Sequence, residues 1–141
     1  YMSLRDTFLE EVEKSQARDF VLIGHSGGAA LSLIAFVDLK HLYPDVEMRG
    51  VTFGAVRAFN KKGADWFETY EDDIIRVVNG RDLFPSLPPA LFGYRHVGRL
   101  LRIGERPPLR IFSVKAHHPG YQKVLEEVLR EEGIDIESLG F

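Results

Sequence analysis

The chain has 141 residues, 45% of them hydrophobic and 28% charged, with 18 basic and 21 acidic side chains and a formal net charge of −3. That is enough apolar material for a single domain over residues 1–141 with a real core, and the interspersed charge leaves no basic face for nucleic acid. There is no cysteine, which excludes disulfides, thiolate catalysis and cysteine-type zinc sites, and no apolar run is long enough to span a bilayer.

The first residue is Tyr1 rather than Met, a start compatible with a processed or partial chain. Residues 4 to 14 place Leu4, Phe8, Leu9 and Val12 on one stripe and the charged residues elsewhere, which predicts an amphipathic helix. Phe20 to Ile23 is apolar at every position and predicts a strand buried on both faces, as in a parallel sheet covered by helices. A helix follows from Ala29 to about Lys40. Gly50 to Gly54 reads as a second strand, Lys61 to Tyr70 as a helix with Trp66, Phe67 and Tyr70 as core candidates, and Ile74 to Val78 as a third strand. Pro85, Pro88 and Pro89 rule out regular structure over 84–90. Gly98 to Ile103 and Leu109 to Val114 read as two further strands, and Tyr121 to Arg130 as a closing helix. Alternating strands and helices argue for an α/β fold with a mostly parallel sheet and flanking helices. Ligands in such sheets sit at the carboxyl ends of the strands.

The most informative segment is Phe20 to Ser32. An apolar strand stops at Gly24-His25-Ser26-Gly27-Gly28 and a helix begins at once. Gly-x-Ser-x-Gly between a strand and a helix is the pattern of a nucleophile elbow. The glycines at 24 and 28 are expected to admit the crossing strand and helix, and Ser26 to adopt a strained backbone. The N–H of Gly27 would open the helix and aim at a developing oxyanion.

A serine hydroxyl needs a base, and that base needs an orienting carboxylate. In folds of this class the chain order is Ser, then Asp or Glu, then His. Asp82 lies 56 residues after Ser26, just past a predicted strand, and competes with Asp45, Asp72 and Asp73. Of the five histidines, His25 sits in the elbow with its side chain expected to point away, His41 ends a helix, and His96 precedes a strand. His117 and His118 are adjacent in the loop before the last helix, where the base belongs. Spacing leaves both open.

These residues carry a resemblance. Phe20 to Ser32 resembles the strand, Gly-His-Ser-x-Gly-Gly-Ala elbow and helix of the class 3 lipases, the fungal-type triacylglycerol lipases and their relatives. Val51-Thr-Phe-Gly-Ala-Val-Arg57 is similar to their Thr-Phe-Gly-x-Pro-Arg strand, with Val56 in place of proline. Arg76 to Pro89 resembles their Asn-x-x-Asp-x-x-Pro-x-x-Pro-Pro stretch, and Tyr94-Arg-His-Val-Gly98 their Tyr-x-His-x-Gly. His118-Pro-Gly-Tyr121 matches their His-x-x-Tyr. The resemblance covers about residues 18–125, and Ala29 departs from it by replacing the second glycine after the serine.

The resemblance implies an α/β-hydrolase fold and hydrolysis of carboxylic esters, acyl lipids above all. It implies Ser26 as nucleophile, Asp82 as the triad carboxylate, His118 rather than His117 as the base, and Gly27 as an oxyanion donor. No metal or organic cofactor is expected. The substrate side is expected to include His25 and the apolar residues Leu83, Phe84, Leu87 and Phe92 after Asp82, with Leu91 adding to an acyl-chain wall or a rim touching lipid. The rivals are a thioesterase or acyltransferase of the same fold, and a non-catalytic binding or assembly subunit that retains it.

The family's domain is longer, with strands before the nucleophile strand that supply the second oxyanion donor and a lid. If the strands of this chain all follow Phe20 to Ile23 on one side, that strand is an edge. An upstream segment, a second chain or a homodimer is then expected to complete the sheet.

Overall fold

The computed structural model describes residues 1–104 and 113–131. In chain order the elements are α1 (Met2–Ser15), β1 (Asp19–His25), α2 (Gly27–Leu42), β2 (Glu47–Phe53), β3 (Phe59–Asn60), α3 (Lys61–Phe67), β4 (Ile74–Asn79), β5 (Tyr94–Arg95), β6 (Arg99–Ile103) and α4 (Gly120–Glu131). Single 3₁₀ turns cover Glu68–Tyr70, Phe84–Ser86, Ala90–Phe92 and Val114–Ala116. The predicted strand over Leu109 to Val114 lies outside the described residues as far as 112, and Val114 itself opens the last of these turns.

Four strands form one sheet in the order β1-β2-β4-β6, every pair parallel. Each neighbour is reached by a crossover, so the carboxyl ends of all four lie on one edge of the fold. β3 and β5 make a separate antiparallel pair.

The two faces of the sheet differ. Leu33, Phe36 and Leu39 of α2 meet Met48, Ile74, Phe67 and Val97 in the core, with Phe20 and Leu22 of β1 and Phe8, Leu9 and Val12 of α1 packed against it. α1 is held to α2 by polar bonds: Arg5 donates to both oxygens of Asp38, at 2.6 and 3.1 Å, and the Tyr1 hydroxyl donates to the same carboxylate at 2.8 Å. The Arg5 bond holds the Asp38 carboxyl below its ordinary pKa. Phe67 is buried as expected, whereas Trp66 is 39% exposed, its ring 4.8 Å from that of Tyr70 at a tilt of 40°.

β1 departs from its expected environment. It is the outermost strand, and its second face is open: Val21 is 60% and Ile23 66% exposed, while Phe20 and Leu22 turn inward. An all-apolar run was the signature of burial on both sides, yet among the described residues only one side is covered. Val21 and Ile23 have no layer over them among the described residues.

Candidate active site

At the end of β1 the backbone turns sharply into α2. Ser26 sits at the junction with φ 55° and ψ −121°, a conformation L-residues rarely adopt. Its N–H donates to the Phe53 carbonyl at 2.9 Å, and its carbonyl accepts from Ala29 N–H at 3.1 Å, so both sides of the strained residue are pinned. Ser26 occupies the N-cap position, where a serine hydroxyl normally caps the helix, but its side chain makes no cap bond. Oγ is thus free of the helix it begins. Gly27 is exposed at the first helical position, where an N–H has no acceptor within the helix.

The expected role of the flanking glycines holds at one of them. A Cβ on Gly24 would lie 2.6 Å from Ala29 Cα, so only glycine lets the strand and helix approach this closely. A Cβ on Gly28 would meet no heavy atom within 4 Å among the described residues, so crowding does not account for that glycine.

Asp82 lies past the end of β4 and is 4% exposed. Its carboxylate accepts three bonds: Phe84 N–H to Oδ1 at 2.9 Å, and both His117 Nδ1 and the Tyr121 hydroxyl to Oδ2 at 2.8 Å. The Tyr121 hydroxyl in turn accepts from Asn79 N–H at 3.0 Å, and Asn79 Nδ2 donates to the Ala116 carbonyl at 3.2 Å. Burial, and then the bond to Asp82, pushes the Tyr121 hydroxyl well above its ordinary pKa, so it stays a donor at any working pH. The competing Asp45, Asp72 and Asp73 are all exposed.

The imidazole on Asp82 belongs to His117, where the motif match implies His118. The turn Val114–Ala116 directs His117 inward, where it is 6% exposed, and leaves its neighbour His118 exposed. The His117 ring stacks on Phe84 at 3.8 Å between centroids and 18° between planes. A carboxylate only accepts, so Nδ1 carries the proton, and in the neutral ring Nε2 carries the lone pair. That Nε2 is fully buried and has no hydrogen-bond partner among the described residues, Ser26 Oγ included. With Nδ1 held by Asp82, this unpartnered Nε2 has a lone pair with which the ring can accept a proton.

His25 also departs from its expected place. Its side chain does not point away, nor does it offer its Nε2 to a substrate, because that nitrogen lies 3.0 Å from the His117 carbonyl. Of the apolar residues after Asp82, Leu83 and Phe84 are half-buried, Phe84 being taken by the His117 stack. Leu87, Leu91 and Phe92 are exposed, the last two by 81% and 66%. The loop that carries them is fastened by Arg57, which donates to the Ser86 and Pro88 carbonyls.

His96 fastens the same loop through its Nε2, which donates to the Pro85 carbonyl at 2.7 Å. Burial, and then the nearby Arg76 guanidinium, lowers its pKa from the ordinary 6.5 to about 4. Such a histidine takes up its proton more readily in the unfolded chain, so stability is complete above about pH 6.5 and is lost as pH falls toward 4. His96→Gln keeps a donor for Pro85 but does not titrate. Thermal melts across this window should show a shallower fall in Tm for H96Q, by about 3 °C or more at the acid end. Equal slopes for H96Q and the unsubstituted protein would mean that His96 is not depressed.

Two contributors stand inside the matched motifs without a role that the motifs assign. One is the hydroxyl of Tyr121 on Asp82. The other is Gly54, whose φ is +58° and where a Cβ would stand 2.8 Å from Asp82 Oδ2 and 2.9 Å from the His117 ring. The signals for Gly54 are its place in the Thr-Phe-Gly match and at the close of a strand that ends beside the elbow. No group of three or more His, Cys, Asp or Glu placed to hold a metal occurs among the described residues.

Comparison with known proteins agrees with this architecture. Residues 1–92 match the family described as lipase (class 3). A secreted mono- and diacylglycerol lipase of Malassezia globosa is 35% identical over 102 residues, covering 68% of this chain and 33% of its own. A Rhizomucor miehei lipase is 29% identical over 105 residues, covering 72% of this chain and 29% of its own. Among solved structures, the Rhizomucor miehei lipase propeptide complex superposes with a TM-score of 0.62 at 29% identity, covering 72% of this chain and 33% of that one. A triacylglycerol lipase whose catalytic centre is described as a serine-protease triad gives 0.61 at 30% identity, covering 70% and 38%. The chain thus spans about a third of the length of the relatives it matches. Its parallel sheet, elbow and flanking helices are those of the α/β-hydrolase fold, and the chain belongs to the class 3 lipase family.

Proposed function

We propose that the intact protein hydrolyses the carboxylic esters of acylglycerols through an acyl-enzyme. The observation that carries this reading is the buried Asp82–His117 pair with an unmet His117 Nε2, at the same sheet edge as a serine held at φ 55°. Ser26 Oγ attacks the ester carbonyl while His117 Nε2 takes its proton. The imidazolium so formed is stabilised by Asp82, which keeps its three donors throughout. His117 then returns the proton to the leaving alcohol, and water repeats the sequence on the acyl-enzyme. The Gly27 N–H supports the oxyanion. A second donor comes from outside the described residues, and its loss would cost about 10²–10³ in rate.

The partner part of the reading follows from β1. Among the described residues its outer edge has unpaired backbone groups and two exposed apolar side chains, so a further strand from the intact protein completes the sheet there. The substrate class rests on the relatives, whose names are those of acylglycerol lipases.

Two measurements test this. A fluorophosphonate probe should label the intact protein stoichiometrically and should not label Ser26→Ala. Labelling that persists in S26A would place the nucleophile elsewhere. In addition, the double variant Leu91→Ser with Phe92→Ser should lower activity on emulsified long-chain esters about tenfold or more while sparing soluble short-chain esters, because it strips an exposed apolar rim without touching the His117 stack. Equal loss on both substrates would mean ordinary destabilisation.

A further inference from the structure

The bonds around His117 fall into two groups. Ser113 N–H donates to the Arg81 carbonyl, Asn79 Nδ2 to the Ala116 carbonyl, and His117 Nδ1 to Asp82, all of them anchoring the base's turn to the end of β4. Together they fix His117 relative to the carboxylate. None of them fixes it relative to the nucleophile, which stands two strands away across the sheet. One hydrogen bond among the described residues does that: His25 Nε2 to the His117 carbonyl, 3.0 Å, across 92 residues of sequence. His25 is the last residue of β1 and directly precedes Ser26. Its ring also lies 4.6 Å from the His117 ring at 33° and 5.6 Å from Tyr121, on the sheet face away from α2.

We infer that His25 is a positioning residue for catalysis, whose Nε2–H registers the base's backbone against the nucleophile elbow. The carbonyl can only accept, so His25 must carry its proton on Nε2. The bond is made to the backbone of His117, not to its ring nitrogens. It sets how far His117 Nε2 stands from Ser26 Oγ, where a displacement of about 1 Å costs on the order of 10²-fold in rate.

This rests on the ester-hydrolase reading above, and the experiment separates the two. Labelling of the unsubstituted intact protein by the fluorophosphonate probe is scored first, and its failure removes the reading itself. With labelling established, His25→Phe, His25→Gln and His25→Asn are compared on a soluble short-chain ester. Phe keeps a ring and loses the donor. Gln places an amide N–H near the position of Nε2, and Asn holds a chemically equivalent amide too close to the backbone to reach. H25F and H25N should lose about 30–100-fold in kcat with KM within about twofold, and H25Q should recover to within about fivefold of the unsubstituted protein. Because Gln and Asn are alike in polarity and differ only in reach, their ratio holds even if all three variants lose some stability. Equal activity in H25Q and H25N, or unchanged kcat in H25F, would overturn the inference while leaving Ser26 as nucleophile.

Discussion

His117→Ala in the intact protein should lower kcat for ester hydrolysis by about 10⁴-fold or more, while His118→Ala should stay within about threefold of the unsubstituted protein. Both residues lie in the same turn, and both donate their N–H to the Val114 carbonyl, at 3.0 and 3.3 Å, so alanine at either leaves the backbone bonding of the turn in place. The side chains differ completely. His117 is stacked on Phe84, bonded to Asp82 and left with a buried, unpartnered Nε2, whereas His118 is exposed. Removing His117 takes away the proposed base and leaves Asp82 short of one donor in a buried site. Removing His118 takes away a solvated ring. Fluorophosphonate labelling rates should follow the same order, since the probe also needs an activated serine. An inactive H118A beside an active H117A would falsify the assignment of His117 as the base.

The second large effect is expected at Gly54→Ala, judged against Gly93→Ala. Both glycines have positive φ, +58° and +87°, so alanine at either carries the same backbone penalty, about 1 kcal/mol. Their surroundings differ. A Cβ at Gly93 meets nothing within 4 Å among the described residues, whereas at Gly54 it would stand under 3 Å from the Asp82 carboxylate and the His117 ring. G93A should therefore lower Tm by about 2–4 °C with kcat unchanged. G54A should lower kcat at least about 10²-fold as well, because the Asp82–His117 pair must shift to admit the methyl group. Similar kcat values for the two variants would show that the pair tolerates displacement.

The sequence was most legible where local rules agree. The strand–turn–helix at Gly24 to Gly28 combines an apolar run, a glycine cluster and a helical stretch, and the structure places β1, Ser26 and α2 there. The alternation of strands and helices likewise anticipated a parallel sheet. Legibility failed where the outcome depends on which way one residue faces. His117 and His118 are neighbours, so no spacing rule separates them, and the direction of a single 3₁₀ turn decides. The motif match chose His118 from its distance to Tyr121, yet Tyr121 and His117 both reach Asp82 in the folded chain. Val21 and Ile23 mislead for a related reason. Their composition encodes burial on two faces, and what covers the second face is not written within the strand.

The ties that define the site span very different lengths of chain: 35 residues for His117 to Asp82, 39 for Tyr121 to Asp82, and 92 for His25 to His117. Closing the longest of these in a flexible chain costs only about 0.9 kcal/mol more than closing the shortest, since the entropy grows with the logarithm of length. Rate is another matter, because parallel pairing of distant strands is slow. The acid and base ride on segments that meet once β4 and the final helix are in place. The serine joins them only when the first strand has docked through β2. Ser26, Asp82 and His117 thus share one edge only in the assembled sheet, and the 92-residue tie from His25 to His117 reports complete folding rather than the formation of any one element.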